Sequence, residues 1–143
     1  MATSAFNKFQ DFSDQLIRGV HDFDAHTFKV ALTNSAPVAT NTILANITQI
    51  ANGNGYTTGG TATTITVSET TGTTTVQGTE VVFTASGAMG PFQYAVLYND
   101  SATSPADALI GWFDYGAAVS LTAGETFTVR FNAASPGTIF TLA

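Results

Sequence analysis

The chain has 143 residues and no cysteine, and only 10% of its residues are charged. The lack of cysteine excludes disulfides, thiolate metal sites and thiol nucleophiles. The formal net charge of −6 disfavours nucleic-acid binding, because an acidic surface repels phosphate. The length is that of one ordinary domain, so residues 1–143 are predicted to form a single domain.

The low charge content also bears on what surrounds the protein. Typical soluble domains carry about 25% charged residues, so much of this exterior must be neutral and polar. Such a surface suggests that sister subunits or a larger assembly cover part of it. The N-terminal segment MATSAFNKFQDFSD does not have a signal-peptide pattern, and no apolar run is long enough for a membrane span. We therefore expect synthesis in the cytoplasm and no membrane partner.

The first predicted element is an α-helix from about residue 4 to residue 18. Ser4 suits the N-cap, because its side-chain oxygen can accept from first-turn amides, and Gly19 suits the stop. Apolar side chains recur three and four residues apart and form one stripe. The stripe consists of Phe6, Phe9, Phe12 and Leu16. It must pack on another surface, either the chain's own sheet or a neighbouring subunit.

A strand and a long loop follow the helix. Alternation with period two over residues 27–34 predicts a half-buried strand that contains Phe28 and Val30. Residues 35–60 show no regular pattern and include the glycine-rich segment NGNGYTTGG, with Asn54 and Tyr56. Irregular segments of this length are usually functional. We therefore predict that residues 35–60 form an interface loop.

The remaining sequence consists of short apolar segments between turn residues. About eight short strands with one N-terminal helix predict a mainly-β fold, an antiparallel β-sandwich or a jelly-roll-like barrel. The residues expected in its core are Phe28, Val30, Tyr94, Val96, Trp112, Phe113, Phe127 and Phe131.

The segment LIGWFDYG, residues 109–116, raises the question of a sugar-binding or catalytic cleft. Strict alternation puts Leu109, Phe113 and Tyr115 on one face of a strand. Trp112 and Asp114 then lie on the opposite face with Ile110. Because a carbohydrate platform needs its rings on one exposed side, the split favours a buried strand. Asp114 then needs a partner, either Arg130 or a backbone amide.

The densest ionisable cluster is HDFDAH, which contains His21, Asp22, Asp24 and His26. Two imidazoles and two carboxylates are suitable ligands for a divalent metal. The segment lies between a helix and a strand, however, where polar linkers are common. A polar linker without metal is therefore the favoured interpretation.

Other chemical motifs are weak. The sequence has no GxSxG elbow for a Ser-His-Asp triad. Asp100, Asp107 and Asp114 are spread over a loop and two strands, which does not suggest a glycosidase pair. Asn99, Asp100 and Asp107 do not have EF-hand spacing, and NGNGYTTGG lacks the lysine of a phosphate-binding loop. We therefore predict a non-enzymatic protein without a cofactor.

Three segments of the second half, FTASGAMGPFQYAVLYND, LIGWFDYG and AGETFTVRF, resemble in this order small virion proteins of tailed bacteriophages. The segments FNKFQDF, GVHDF, HTFKVALTNSAPV and ITQIANGNGYTTGG resemble the same group, so the similarity covers nearly the whole chain. All are strand and turn sequences, and no catalytic or ligand residue is implied. The resemblance implies a structural protein of the particle, most like a capsid decoration (cement) protein.

A decoration protein would lie on the capsid surface of the virion after synthesis in the bacterial host cytoplasm. The implied partners are the major capsid protein and copies of the chain itself, in a homotrimer that bridges capsid subunits through repeated contacts. The expected contact residues are Phe6, Phe9, Phe12, Leu16, Asn54 and Tyr56. Two alternatives stay open, a tail component (tube, tip or fibre) and a domain that binds a host-surface glycan.

Overall fold

The computed structural model describes residues 2–143, in which ten strands and one α-helix follow each other along the chain. The helix, α1, covers Gln10–Ile17. The strands are β1 (Asn7–Lys8), β2 (Phe28–Thr33), β3 (Thr61–Thr63), β4 (Ile65–Thr70), β5 (Thr73–Gly78), β6 (Val81–Thr84), β7 (Met89–Asn99), β8 (Leu109–Leu121), β9 (Thr126–Val129) and β10 (Gly137–Leu142). One turn of 3-10 helix covers Leu44–Asn46.

The strands form three antiparallel sheets. A five-stranded sheet has the order β1-β8-β7-β2-β3, a three-stranded sheet has the order β10-β5-β4, and β6 pairs with β9. Strands hold 49% of the residues and helices 8%, which confirms the predicted mainly-β, sandwich-like fold with a single N-terminal α-helix. The strand predicted at residues 109–116 is longer in the structure, because β8 continues to Leu121.

The inner core lies between the five-stranded sheet and the other two sheets. Phe28 and Leu97 come from the five-stranded sheet, and Val76 and Ile139 come from the three-stranded sheet. Phe83 adds a large ring from β6. Together these side chains remove apolar surface of all three sheets from water, which is the main stabilising contribution to such a fold.

The predicted core residues divide into two groups. Phe28, Val30, Val96 and Phe131 are fully buried. Tyr94, Trp112, Phe113 and Phe127 are half-buried, and the last three pack against the buried clusters. Trp112, Phe113 and Phe127 therefore contribute to the core without being fully buried.

The outer face of the five-stranded sheet is covered by residues 35–60. Leu44 and Ile47 of this segment are buried against Val96, Tyr98 and Leu109. The segment is also held by backbone hydrogen bonds, from the amide of Leu44 to the carbonyl of Asp107 (3.0 Å) and from the amide of Leu109 to the carbonyl of Thr42 (3.0 Å). Leu44 and Ile47 thus cover the chain's own sheet, and the interface role of residues 35–60 stays a prediction.

The glycine-rich part of the same segment is fixed by Tyr56. Its hydroxyl donates to Gln49 Oε1 at 2.6 Å and accepts from the amide of Leu32 at 3.2 Å. Burial raises the pKa of Tyr56 to about 12, so the phenol stays neutral. Gly60 has a positive φ, and a Cβ there would overlap the carbonyl oxygen of Val30. This close approach requires glycine.

The helix is shorter than the predicted residues 4–18. It begins after Phe9, because Asn7 and Lys8 pair with Trp112 and Gly111 of β8 and hold the chain extended. Ser4 is not the N-cap, since its hydroxyl accepts from the amide of Asp114 at 2.8 Å.

The predicted stop at Gly19 is confirmed. Gly19 has φ +79°, and its amide donates to the carbonyl of Leu16 at 3.2 Å. The amide of Val20 donates to the carbonyl of Gln15 at 2.9 Å. These two bonds satisfy helix-end carbonyls in the pattern of a Schellman motif.

The apolar stripe of the N-terminal region packs on the chain itself. Phe9 and Phe12 are buried, and Phe12 contacts the rings of Phe23 and Phe140. Phe6 and Leu16 are half-buried against the inner core. Of the six predicted contact residues, Phe9, Phe12 and Tyr56 are therefore unavailable to a partner in this fold, whereas Asn54 is exposed.

Candidate functional site

A groove of about 510 Å³ lies between the middle of β8 and strand β9. We call it the aromatic groove and define it by Gln93, Tyr94, Asp114, Tyr115, Phe127 and Arg130. Ala2, Thr3 and Ser4 of the N-terminal arm lie along it. The groove therefore lies at the C-terminal end of LIGWFDYG, the segment that the sequence had suggested as a cleft.

The aromatic groove holds several rings that support one another. The Tyr115 ring meets the Phe127 ring at 5.4 Å and 71°, an edge-to-face geometry. Phe127 in turn meets the buried ring of Phe92 at 4.8 Å and 76°. Tyr115 nevertheless remains 42% exposed. The groove thus offers an aromatic side chain to solvent that is held in place from below.

Two irregularities of β8 produce this arrangement. Tyr98 pairs with Leu109 and Leu97 with Gly111, so Ile110 is an extra residue and forms a β-bulge. Leu109 and Trp112 consequently pack on the same outer cluster, whereas Ile110 packs in the inner core. The predicted assignment of Leu109 and Phe113 to one face is therefore wrong, because the bulge reverses the alternation.

The second irregularity is a larger bulge that carries Tyr115. Asp114 pairs with Tyr94 and Val119 with Phe92, so residues 115–118 face only Gln93 on the neighbouring strand. Asp114 Oδ1 accepts from the amide of Gly116 at 2.7 Å and from Gln93 Nε2 at 2.9 Å. The predicted backbone-amide partner of Asp114 is therefore confirmed. The side-chain partner is Gln93 and not Arg130. The carboxylate fixes the bulge that presents Tyr115.

Cations do not gather into a basic patch in the described part of the chain. Arg130 Nε lies 2.6 Å from Glu80 Oε2, Arg18 Nε lies 2.7 Å from Asp14 Oδ2, and Lys29 Nζ lies 2.9 Å from Asp100 Oδ2. Lys8 donates to the hydroxyl of Ser13. Each cation is therefore engaged locally.

The histidine cluster is organised by Asn99. Nδ2 of this buried amide lies 3.2 Å from His21 Nδ1, 2.9 Å from His26 Nδ1 and 3.3 Å from the carbonyl of Val20. Burial, and secondarily the charge of His26, lower the pKa of His21 to about 4. The neutral ring of His21 packs at 5.3 Å from the ring of Phe12. The arrangement joins α1 to the end of β7.

The acidic residues that the sequence suggested as ligands do not form a metal centre. Among residues 2–143, no three His, Asp or Glu side chains approach closely enough to hold an ion. Asp22 Oδ1 instead accepts from the amides of Asp24 and Ala25.

Burial and the neighbouring charge of Asp100 raise the pKa of Asp107. Asn99 Oδ1 accepts from the amides of Ser101 and Ala102, so it is committed to the turn.

A second surface feature is the outer strand of the three-stranded sheet. Ile65 of β4 is half-buried and residues 66–70 are exposed. β4 pairs only with β5, so one edge of the strand is free within the described chain. Val67 lies at its centre and is 40% exposed. We call this surface, residues 65–70, the β4 edge.

Comparisons of the chain with protein-family models, with curated proteins and with solved structures gave no match. Across residues 2–143, no helix combines the length and the apolar character that a membrane span needs.

Both surfaces escape sequence reasoning, for different reasons. The aromatic groove depends on the bulges of β8, and strict alternation cannot place them. For the β4 edge there is a signal, because TTITVS is rich in threonine and has little apolar surface to bury, which predicts an exposed strand. The signal is not specific, since the similar segment TTTVQ forms β5, which is half-buried and has Val76 buried.

Proposed function

We propose that the protein is a non-enzymatic structural protein of a tailed-bacteriophage particle. In this proposal it decorates the capsid exterior as a homotrimer and stabilises the shell by bridging major capsid subunits. The observation that carries the proposal is the β4 edge.

The β4 edge has the properties of a surface that a partner covers. Free, exposed strand edges tend to pair with other chains, and monomeric proteins usually protect them with lysine, proline or bulges. β4 has regular pairing with β5 over its whole length. Its one charged residue is Glu69, whose Oε1 accepts from the amide of Gly72 in the adjoining turn. β4 therefore has none of the lysines, prolines or bulges that protect an exposed edge.

The surface charge supports an exterior location. The net charge is −6, and the cations have local partners. A protein that lines the inside of a filled capsid faces packaged DNA, which repels a negative surface. Repeated copies on the outside can each make modest contacts, because effective concentration multiplies the strength of a ring of identical contacts.

The proposal is tested by locating the chain in purified particles of the phage that encodes it, by cryo-electron microscopy. Density repeated over the head, between capsid subunits, is the expected result. Density in the tail alone would favour the alternative of a tail tube, tip or fibre component. Absence of the chain from purified particles would refute a structural role in the virion.

The contribution of the β4 edge is tested by Val67→Lys, with Val82→Lys as a matched control. Both valines lie within strands and have similar exposure, 40% and 44%. We expect Val67→Lys to abolish trimerisation or attachment to particles, because a charge is desolvated when the edge is covered. Val82→Lys should retain both, as measured by light scattering and particle binding. Equal behaviour of the two variants would contradict a role of the β4 edge.

A further inference from the structure

We propose that the aromatic groove binds a neutral oligosaccharide. This is a binding site on a surface other than the β4 edge, and it goes beyond the structural function proposed above. The inference rests on the size of the groove, its exposed ring, its fixed polar groups and its balanced charge.

The dimensions of the groove suit a ligand of a few sugar rings. Its volume of about 510 Å³ lies within the roughly 300–1,000 Å³ that small-ligand sites occupy. The N-terminal arm borders it through Ala2, Thr3 and Ser4, and the hydrogen bond between the Asp114 amide and the Ser4 hydroxyl anchors this border. The ligand thus finds a groove that exists before binding.

The ring of Tyr115 supplies the apolar contact. One face of a pyranose ring presents mainly C–H bonds, which pack against aromatic side chains that combine an apolar body with a polar end. Tyr115 is exposed at the rim while Phe127 supports it. Tyr94, half-buried across from Asp114 in the strand pairing, adds a second phenol to the groove.

Polar groups that suit sugar hydroxyls lie beside these rings. The bonds that hold Asp114 use Oδ1, so Oδ2 remains as an acceptor for a hydroxyl. Thr126 and Thr128 of β9 are exposed and are among the residues that line the groove. Because Gln93 and Gly116 already fix the Asp114 carboxylate, little side-chain freedom is lost on binding.

The charge balance favours a neutral ligand. Arg130 is the groove's cation, and its Nε is engaged by Glu80, while Asp114 contributes a negative charge. The carboxylate of Asp114 repels an acidic sugar. Arg130 compensates for this repulsion only in part, because Glu80 partly neutralises its charge. Hydroxyl groups bond well to both.

The test is a titration of the whole chain with maltotriose, cellotriose and chitotriose, followed by amide chemical shifts in NMR spectra. We expect at least one of these sugars to shift the resonances of Asp114, Tyr115 and Thr128 and to leave Val67 unchanged. A control peptide of alternating threonine and valine is titrated in parallel. Absence of binding by all three sugars, shifts located elsewhere, or binding of the peptide alone along β9 would overturn the proposal.

Two variants sharpen the test. Tyr115→Ala should weaken binding by about tenfold, the order of one aromatic contact, whereas Val67→Ala, at an exposed strand residue outside the groove, should leave affinity unchanged. Asp114→Asn keeps an Oδ1 acceptor for Gly116 and Gln93 but replaces Oδ2 with a donor. It should therefore weaken binding without loss of the folded spectrum. Unchanged affinity in Tyr115→Ala would contradict the assignment.

Discussion

Strands β7 and β4 belong to the same sandwich, yet their surroundings differ completely. Residues 95–99 of β7 are all buried, with Leu97 in the inner core and Val96 in the cluster under residues 35–60. Residues 66–70 of β4 are all exposed. β7 has a paired neighbour on each side, β8 and β2, whereas β4 pairs only with β5. The two strands therefore differ both in backbone pairing and in the burial of their side chains.

This difference shows which part of the molecule the chain stabilises by itself. The sequence AVLYN of β7 places apolar groups on both faces, and the chain covers both. The sequence TVSET of β4 has one large apolar side chain, Val67, and this side chain is only partly buried. We infer that β7 determines the stability of the isolated chain, whereas β4 is available for contacts with other chains.

The largest expected effect is that of Leu97→Ala in the buried strand. Leu97 is fully buried, and its truncation leaves a cavity in the inner core, so we expect a loss of about 3 kcal/mol in the free energy of unfolding. Val67→Ala is the counterpart in the exposed strand, with an expected loss under about 0.5 kcal/mol. Denaturant titration measures both. Losses of similar size would show that the two strands do not differ as their burial indicates.

The contrast between these strands also shows what the sequence could predict. Alternation and turn residues were enough for the mainly-β fold and for Phe28, Val30, Val96 and Phe131 as core residues. They were not enough for the start of α1, because pairing of Asn7 and Lys8 with a strand about a hundred residues away overrides the local helical pattern. The cover formed by Leu44 and Ile47 likewise depends on a sheet that local sequence does not reveal.

The candidate groove was missed for the same kind of reason. Ile110 and residues 115–118 interrupt the alternation of β8. LIGWFDYG has a glycine at each interruption, Gly111 beside Ile110 and Gly116, which has φ +91°. Glycine within a strand is a signal of a bulge. Gly116 therefore predicts that the alternation ends near Asp114, but it does not predict the size of the bulge.

The next expected effect concerns His21, which lies close to the end of β7 and to β4. His21 and Val67 line one shallow depression, and the His21 ring packs on Phe12. The pKa of His21 is lowered to about 4 in the folded chain, from an ordinary value near 6.5. The unfolded chain therefore binds the proton first, and stability falls as the pH decreases from about 6.5 to about 4. The full loss is roughly 3 kcal/mol on the basis of this shift.

Denaturant titration at several pH values measures this loss, with His21→Phe as the comparison. The phenylalanine keeps an aromatic ring beside Phe12 and has no proton to bind. We expect its stability to depend less on pH over the same interval, since only the carboxylates then contribute. If the difference in the free energy of unfolding between the wild type and His21→Phe did not change with pH, the buried neutral state of His21 would be contradicted.

The smallest expected effect is that of Val67→Thr, which keeps the shape of the side chain and its preference for strands. For the isolated chain we expect a change within about 0.5 kcal/mol in the free energy of unfolding, because the side chain is 40% exposed and lies outside the buried clusters. In an assembly that covers the β4 edge, the same substitution puts a hydroxyl into an interface and weakens association. Analytical ultracentrifugation measures that second effect. A large loss of stability in the isolated monomer would instead place β4 among the elements that hold the sandwich together, and the contrast with β7 would disappear.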